Sequence, residues 1–317
     1  MTIDQTPDMT VWTGRMDQQP DSERWHQQVK PWQHNASPGF ALLGFASDEG
    51  VRRNQGRIGA AAGPAAIRRA LASLAVHDSR PLYDAGDVVC ANGDLPGAHE
   101  RLASSVAQLL DSGQKPMVMG GGHEIAFGTW SGLARHLGSN TDRTPRIGII
   151  NFDAHFDLRP LSEAPSSGTP FSQIAEQCRQ RGWPFHYACL GVSRAANTRA
   201  LFNRADELGV VYREDQTMTQ STLPELHSLL DDFMADCDAL YLTLCLDVFP
   251  AAQVPGVSAP AARGVALDLI EPLLRQIARS GCLAAADIAE LNPDYDIDQR
   301  SARVAARCLH TLKQEWA

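Results

Sequence analysis

Apolar residues along this chain gather in short runs, separated by longer stretches with helical periodicity. The runs fall at 40–45, 81–89, 116–119, 146–152, 185–192, 209–212, 239–246 and 283–288. Within them the apolar character is nearly continuous rather than alternating, the pattern of strands covered on both faces. The stretches at 64–75, 99–110, 125–137, 223–234 and 267–278 repeat apolar positions at helical spacing, and 300–316 closes the chain as a last helix. Eight candidate strands alternating with helices predict a parallel sheet joined by right-handed crossovers. No linker, internal repeat or low-complexity tract interrupts them, so one domain is expected, with a closed eight-fold barrel as the competing architecture. Residues 1–38 differ. They are polar, carry Trp12, Trp25 and Trp32, and read as an N-terminal extension held on the surface by its tryptophans, which leaves 39–317 as the α/β domain.

Composition narrows the function classes. The 317 residues are 44% hydrophobic and 21% charged, so a large buried core is expected and disorder of the whole chain is excluded. Lys and Arg number 28 against 37 Asp and Glu, a net charge of -9, which argues against nucleic acid or an anionic membrane as partner. No apolar run approaches the roughly 20 residues of a membrane helix. The first ten residues are polar and acidic without a signal-peptide core, and a cytoplasmic protein is expected. Cys90, Cys178, Cys189, Cys237, Cys245, Cys282 and Cys308 are odd in number and lack C-x-x-C spacing, so buried thiols are expected rather than disulfides or a cysteine-type zinc site.

In parallel α/β sheets chemistry collects where strands end. The run 117–119 passes into Gly120-Gly-Gly-His123-Glu124. It fails the dinucleotide pattern G-x-G-x-x-G because Ile stands at 125. Its glycines permit a tight turn that brings His123 close to something, although His123 alone also reads as a helix-start residue. The run 146–152 ends in Asp153-Ala-His155-Phe-Asp157. While extended, this segment would place its two carboxylates and imidazole on one face, a crowding that a cation relieves. The run 239–246 reaches Asp247 through Cys245. Taken singly, Asp247 is also an ordinary turn former. Together the three run-ends offer carboxylate oxygen and imidazole nitrogen, a donor mixture suited to manganese, with iron or zinc as rivals. They exceed what one ion needs and suggest a pair sharing a bridging carboxylate and a hydroxide.

The G-G-G-H-E segment, the D-A-H-F-D segment and the strand ending at Asp247 resemble the three metal signatures of the ureohydrolase family, which includes arginases, agmatinases and formimidoylglutamases. The resemblance spans roughly residues 40–310. It implies an open parallel sheet with helices on both faces, and so decides against the barrel. It also implies two Mn2+ ions per subunit held by His123, Asp153, His155, Asp157 and Asp247, with a metal-bridging hydroxide as nucleophile. One position departs from the arginase pattern S-x-D-x-D: Thr243-Leu-Cys245-Leu-Asp247 puts a thiol where a carboxylate is usual. Cys245 then ligates as thiolate, stands by as a thiol, or leaves one metal site weak.

Other segments bear on the substrate. The stretch 44–64 carries Arg52, Arg53, Asn54 and Arg57 in a glycine-rich loop on the same rim, side chains able to hold carboxylates unless they are merely solvated. Arg194 ends another strand and is a second candidate. These segments and 250–260 resemble those of formimidoylglutamases. Glu290 in Asp287-Ile-Ala-Glu290-Leu-Asn292-Pro293 matches a family position that pairs with an amidine or guanidine. Phe171 lies in the loop where arginases carry a histidine, so a histidine proton shuttle is not expected, and Asp157 is the candidate route for the proton. The resemblance thus implies hydrolysis of N-formimidoyl-L-glutamate to L-glutamate and formamide in histidine breakdown, by a homo-oligomer, with Asp157 and Glu290 catalytic and Asn54, Arg57 and Arg194 binding substrate. An agmatinase or other guanidine hydrolase releasing urea, a single-metal deacetylase of related fold, and a metal-poor binding protein are the alternatives.

Overall fold

The computed structural model describes residues 3–140, 144–161 and 164–317. Its strands are β1 (Lys30–Pro31), β2 (Phe40–Ala46), β3 (Leu82–Val89), β4 (Lys115–Gly120), β5 (Ile147–Phe152), β6 (His186–Val192), β7 (Val211–Glu214), β8 (Ala239–Cys245) and β9 (Leu283–Ala289). They form one sheet in the order β1-β3-β2-β4-β9-β8-β5-β6-β7, and every neighbouring pair is parallel. The sheet is open, since β1 and β7 do not meet. All eight apolar runs are strands. The ninth, β1, has two exposed residues, one of them Pro31, too short for any periodicity and confined to an edge as proline requires.

Side chains alternate between two helical layers. Leu42, Met117 and Ile150 join one core, whereas Leu43, Val118 and Ile149 face the other side. That is why the runs are continuous: every residue of β5 and β8 is buried. The helices are α1 (Trp25–Gln28), α2 (Glu49–Arg53), α3 (Gly63–Ala72), α4 (Leu95–Asp111), α5 (Ile125–Asn140), α6 (Pro170–Arg181), α7 (Arg199–Glu207), α8 (Leu223–Ala235), α9 (Leu267–Arg279) and α10 (Arg300–Glu315). α3, α8, α9 and α10 supply the first layer, and α4 to α7 the second. Among the described residues no helix is long and apolar enough to cross a membrane.

The N-terminal segment goes deeper than surface packing. Trp25 is fully buried in the first core, and its indole Nε1 donates to His310 Nδ1 of α10 at 3.2 Å. Trp12 Nε1 donates to Asp84 Oδ2 at 2.8 Å. Asp84 in turn accepts from Arg68 Nε and Nη2 at 2.8 and 2.9 Å, which resolves a buried carboxylate in β3 with a paired guanidinium from α3.

Candidate metal centre

The order of strands matters more than their order in sequence. β4, β9, β8 and β5 are contiguous at the centre of the sheet, although the chain visits β6 and β7 between them. Their carboxyl ends therefore meet, and the residues just beyond them converge on one cavity of about 310 Å³. His123 follows β4, Glu290 follows β9, Cys245 ends β8 with Asp247 in the next turn, and Asp153, His155 and Asp157 follow β5.

The glycines after β4 permit a close approach. A Cβ on Gly121 would lie 1.7 Å from the Ser47 carbonyl oxygen, so this strand end packs against the β2 loop only as glycine. His123 then presents Nδ1 to Asp153 Oδ2 and Asp157 Oδ2, both at 2.9 Å. Its Nε2 faces Thr243 Oγ1 at 3.0 Å, and its backbone N–H donates to Glu290 Oε1 at 2.8 Å. His155 Nδ1 lies 3.1 Å from Asp247 Oδ2 and 3.4 Å from Asp153 Oδ1.

The segment after β5 is not the extended run the sequence suggests. The strand stops at Phe152, and the chain bends because Asp153 Oδ1 accepts from the His155 N–H at 2.7 Å. Asp157 has φ +48°, in the left-handed region that costs a non-glycine residue free energy. This bend, rather than strand alternation, brings His155 and Asp157 to the cavity while Asp153 stays fully buried against His123 and His155. Asn197 stitches the bend down, accepting from the Phe156 N–H at 3.1 Å and donating to the Ala154 carbonyl at 2.8 Å. Glu290 likewise has φ +71°. Two left-handed acids beside one cavity mark strain held for function rather than for stability.

Five acidic groups, the carboxyls of Asp153, Asp157, Asp247 and Glu290 and the Cys245 thiol, are gathered with no Lys or Arg paired to them among the described residues. Burial opposes charge on both imidazoles, yet Asp153 and Asp157 raise His123 well above its usual range, and Asp247 and Asp153 do the same for His155. Burial and the Asp153 charge push Asp157 up to about 6. Burial, with Glu124 and Asp247 adding to it, pushes Glu290 to about 8, and Glu290 Oε2 is buried without a hydrogen-bond partner. Burial and the surrounding carboxylates push the Cys245 thiol far up.

This donor set fits two divalent cations. His123, Asp153 and Cys245 form one group, and Asp153, His155 and Asp247 a second, with the ligand atoms of each within 4.8 Å of one another. Asp153 belongs to both, the arrangement of a bridging carboxylate. Thr243 beside His123 Nε2 supplies the outer hydrogen bond that would aim Nδ1 at a cation. Phe171 packs edge-on against His123 at 5.5 Å between ring centroids and stacks on Tyr187, so its role is to hold the imidazole.

The predicted substrate-binding residues separate. Asn54 lines the cavity, but Arg57 and Arg194 do not. Arg57 Nε donates to the Ser258 carbonyl at 2.9 Å, and its guanidinium lies over Tyr295. Arg194 grips Glu214 with two nitrogens and stacks on Phe202. Arg52 and Arg53 are both taken by Glu49. Sequence reading missed Thr243 and Arg159. Thr243 was signalled by spacing, since it lies two positions before Cys245 in β8, where same-side residues recur, whereas Arg159 follows the bend after β5 and no spacing marks it.

An arginase-family model matches residues 38–313, and the chain belongs to the arginase family. Among curated relatives, it is 61% identical over 310 residues to formimidoylglutamase of Aeromonas hydrophila, covering 96% of this chain and 97% of that one. It is 53% identical over 309 residues to formimidoylglutamase of Chromobacterium violaceum, covering 97% and 98%. Among solved structures, formiminoglutamase of Trypanosoma cruzi with Mn2+ superposes with TM-score 0.81 at 26% identity, covering 92% of this chain and 98% of that chain. Arginase from Bacillus subtilis shares the fold at TM-score 0.74 and 23% identity, covering 87% and 98%.

Proposed function

We propose that the chain is a manganese-dependent hydrolase that converts N-formimidoyl-L-glutamate and water to L-glutamate and formamide, a step of histidine breakdown. The observation that carries this reading is the pair of buried donor groups sharing Asp153 beneath a cavity that also holds Glu290. The identity to formimidoylglutamases over nearly the whole chain supports the choice of substrate.

His123, Asp153, Asp157 and Cys245 would hold one Mn2+, and Asp153, His155 and Asp247 the other. Bound manganese supplies Lewis acidity, which makes water nucleophilic near neutral pH. Glu290, with Oε1 tied to the His123 N–H and Oε2 unpartnered, accepts from the amidinium N–H of the substrate and turns its carbon toward the Asp153 side of the cavity. Water adds to that carbon, and the bond to the glutamate nitrogen breaks. Asp157 lines the cavity beside His123 and is the candidate to pass a proton toward the departing amine. Asn54 binds substrate on the rim. The protein works in the cytoplasm, where its seven free thiols stay reduced, and assembles as a homo-oligomer, a state the family resemblance supports and light scattering checks.

The test is product identification. With added Mn2+, N-formimidoyl-L-glutamate should yield formamide, while agmatine and arginine yield no urea. Urea from agmatine without formamide would make the guanidine-hydrolase reading correct instead.

A further inference from the structure

The metal centre accounts for the amidine end of the substrate but leaves its two carboxylates without a cation. Arg57 and Arg194 are engaged elsewhere. Among the described residues Arg159 is the only Arg or Lys lining the cavity, which it shares with Asn54, Ser167, Ser258, Asp157 and Glu290. Its guanidinium has no hydrogen-bond or ion-pair partner among the described residues, whereas Arg52, Arg53, Arg57 and Arg194 are all engaged by other groups. Its backbone is fixed, since the Arg159 N–H donates to the Gly168 carbonyl at 2.9 Å. Its exposed side chain runs along Gly168. A Cβ on Gly168 would meet Arg159 Cδ at 2.7 Å and Nε at 2.9 Å, with Asn54 Oδ1 at 3.2 Å from the same point. The missing side chain at Gly168 thus leaves the space in which the Arg159 stem and the Asn54 amide lie side by side at the cavity wall.

We infer that Arg159 is the specificity-determining residue of this site and that its free guanidinium takes a substrate carboxylate through paired charged hydrogen bonds, with the Asn54 amide beside it. Two further facts favour an anion there. The rest of the cavity is acidic, so a dianionic substrate would be repelled without a local positive charge. Arg159 also lines the same cavity of about 310 Å³ as Glu290, the group assigned to the amidine end. The inference rests on the reading of the substrate as N-formimidoyl-L-glutamate.

The test uses the full-length Mn2+-loaded protein with Arg159→Gln, Arg159→Lys and Gly168→Ala. Substrates are N-formimidoyl-L-glutamate and its two monoamides, each with one carboxylate replaced by a carboxamide. Arg159→Gln should raise KM for the diacid about 10–100-fold, the loss of one charge-assisted pair, with kcat held within a few fold. Arg159→Lys should fall between, because it keeps the charge without the fork, and Gly168→Ala should raise KM by displacing the stem. For one monoamide the wild type and Arg159→Gln should converge; for the other the gap should persist. L-Glutamate, titrated by calorimetry, should lose affinity in the same proportion, and the melting temperature should not move, because Arg159 pairs with nothing. An unchanged KM, or an equal loss on both monoamides, overturns the inference while the proposed function stands. No formamide from the wild type overturns the function itself, and this inference with it.

Discussion

At the residue scale, Asp153 is the side chain on which the centre turns, because it alone belongs to both donor groups. Asp153→Ala should remove both manganese ions rather than one and should lower turnover by at least about a thousandfold, a loss comparable to that of a principal catalytic group. Metal analysis after gel filtration checks the first point. Asp247→Ala should spare one ion, since the group of His123, Asp153 and Cys245 does not use it. Thr243→Val should keep the fold and weaken Mn2+ binding about 10–100-fold, the usual effect of losing an outer-sphere partner of a ligating histidine. Titration of the metal-free protein with Mn2+ reads this directly. Most of these residues were visible in the sequence because each terminates an apolar run. What the sequence did not display was the direction of side chains on the rim. Arg57, Arg194 and Arg159 are equally good anion ligands as letters, and only the carbonyl of Ser258, the carboxylate of Glu214 and the absence of a side chain at Gly168 tell them apart.

At the element scale, the eight long strands were legible because a doubly covered strand must be apolar at nearly every position. β1 was not, because two residues carry no period, and the depth of Trp25 was not, because burial of one tryptophan depends on the groove that α3 and α10 form. The pairing of α3 with β3 leads to a stability prediction. Arg68 is buried against Asp84, which is itself fully buried. Arg68→Ala should destabilise the fold by about 3–5 kcal/mol by leaving that carboxylate unpaired, as measured by urea unfolding. A second prediction concerns His99 of α4, which lies between the rings of Phe45 and Phe127. Burial lowers its pKa to about 4, and its Nε2 has no hydrogen-bond partner. The unfolded chain protonates this group near pH 6.5 while the folded chain resists until about pH 4. Stability from this residue is therefore complete above pH 6.5 and declines as pH falls toward 4, by about 3 kcal/mol in total. His99→Phe should flatten the stability profile over that window relative to the parent. Parallel profiles for the two proteins would contradict the assignment.

At the scale of the whole molecule, the fold turns four strands remote in sequence into neighbours and so assembles a site that no local segment contains. The gathered acids are costly for folding in isolation, since burial of unpaired charge opposes the compact state. Cations that bind only the folded chain offset that cost by mass action, about 2.7 kcal/mol at a hundredfold excess over Kd. The melting temperature should accordingly rise with Mn2+ and fall on chelation, and Asp153→Asn should abolish most of that dependence. A thermal-shift titration of both proteins decides it. On the same charge balance a chain of net charge -9 would serve a dianionic substrate if the positive charge came locally, from two bound cations and the Arg159 guanidinium, rather than from the surface as a whole.

The most direct measurement is anomalous diffraction at the manganese edge from crystals grown with Mn2+. Two peaks should appear within coordination distance of Asp153, one on the His123 and Cys245 side and one on the His155 and Asp247 side. A map with no peak there, or with a single peak that Asp153 does not touch, would contradict the account.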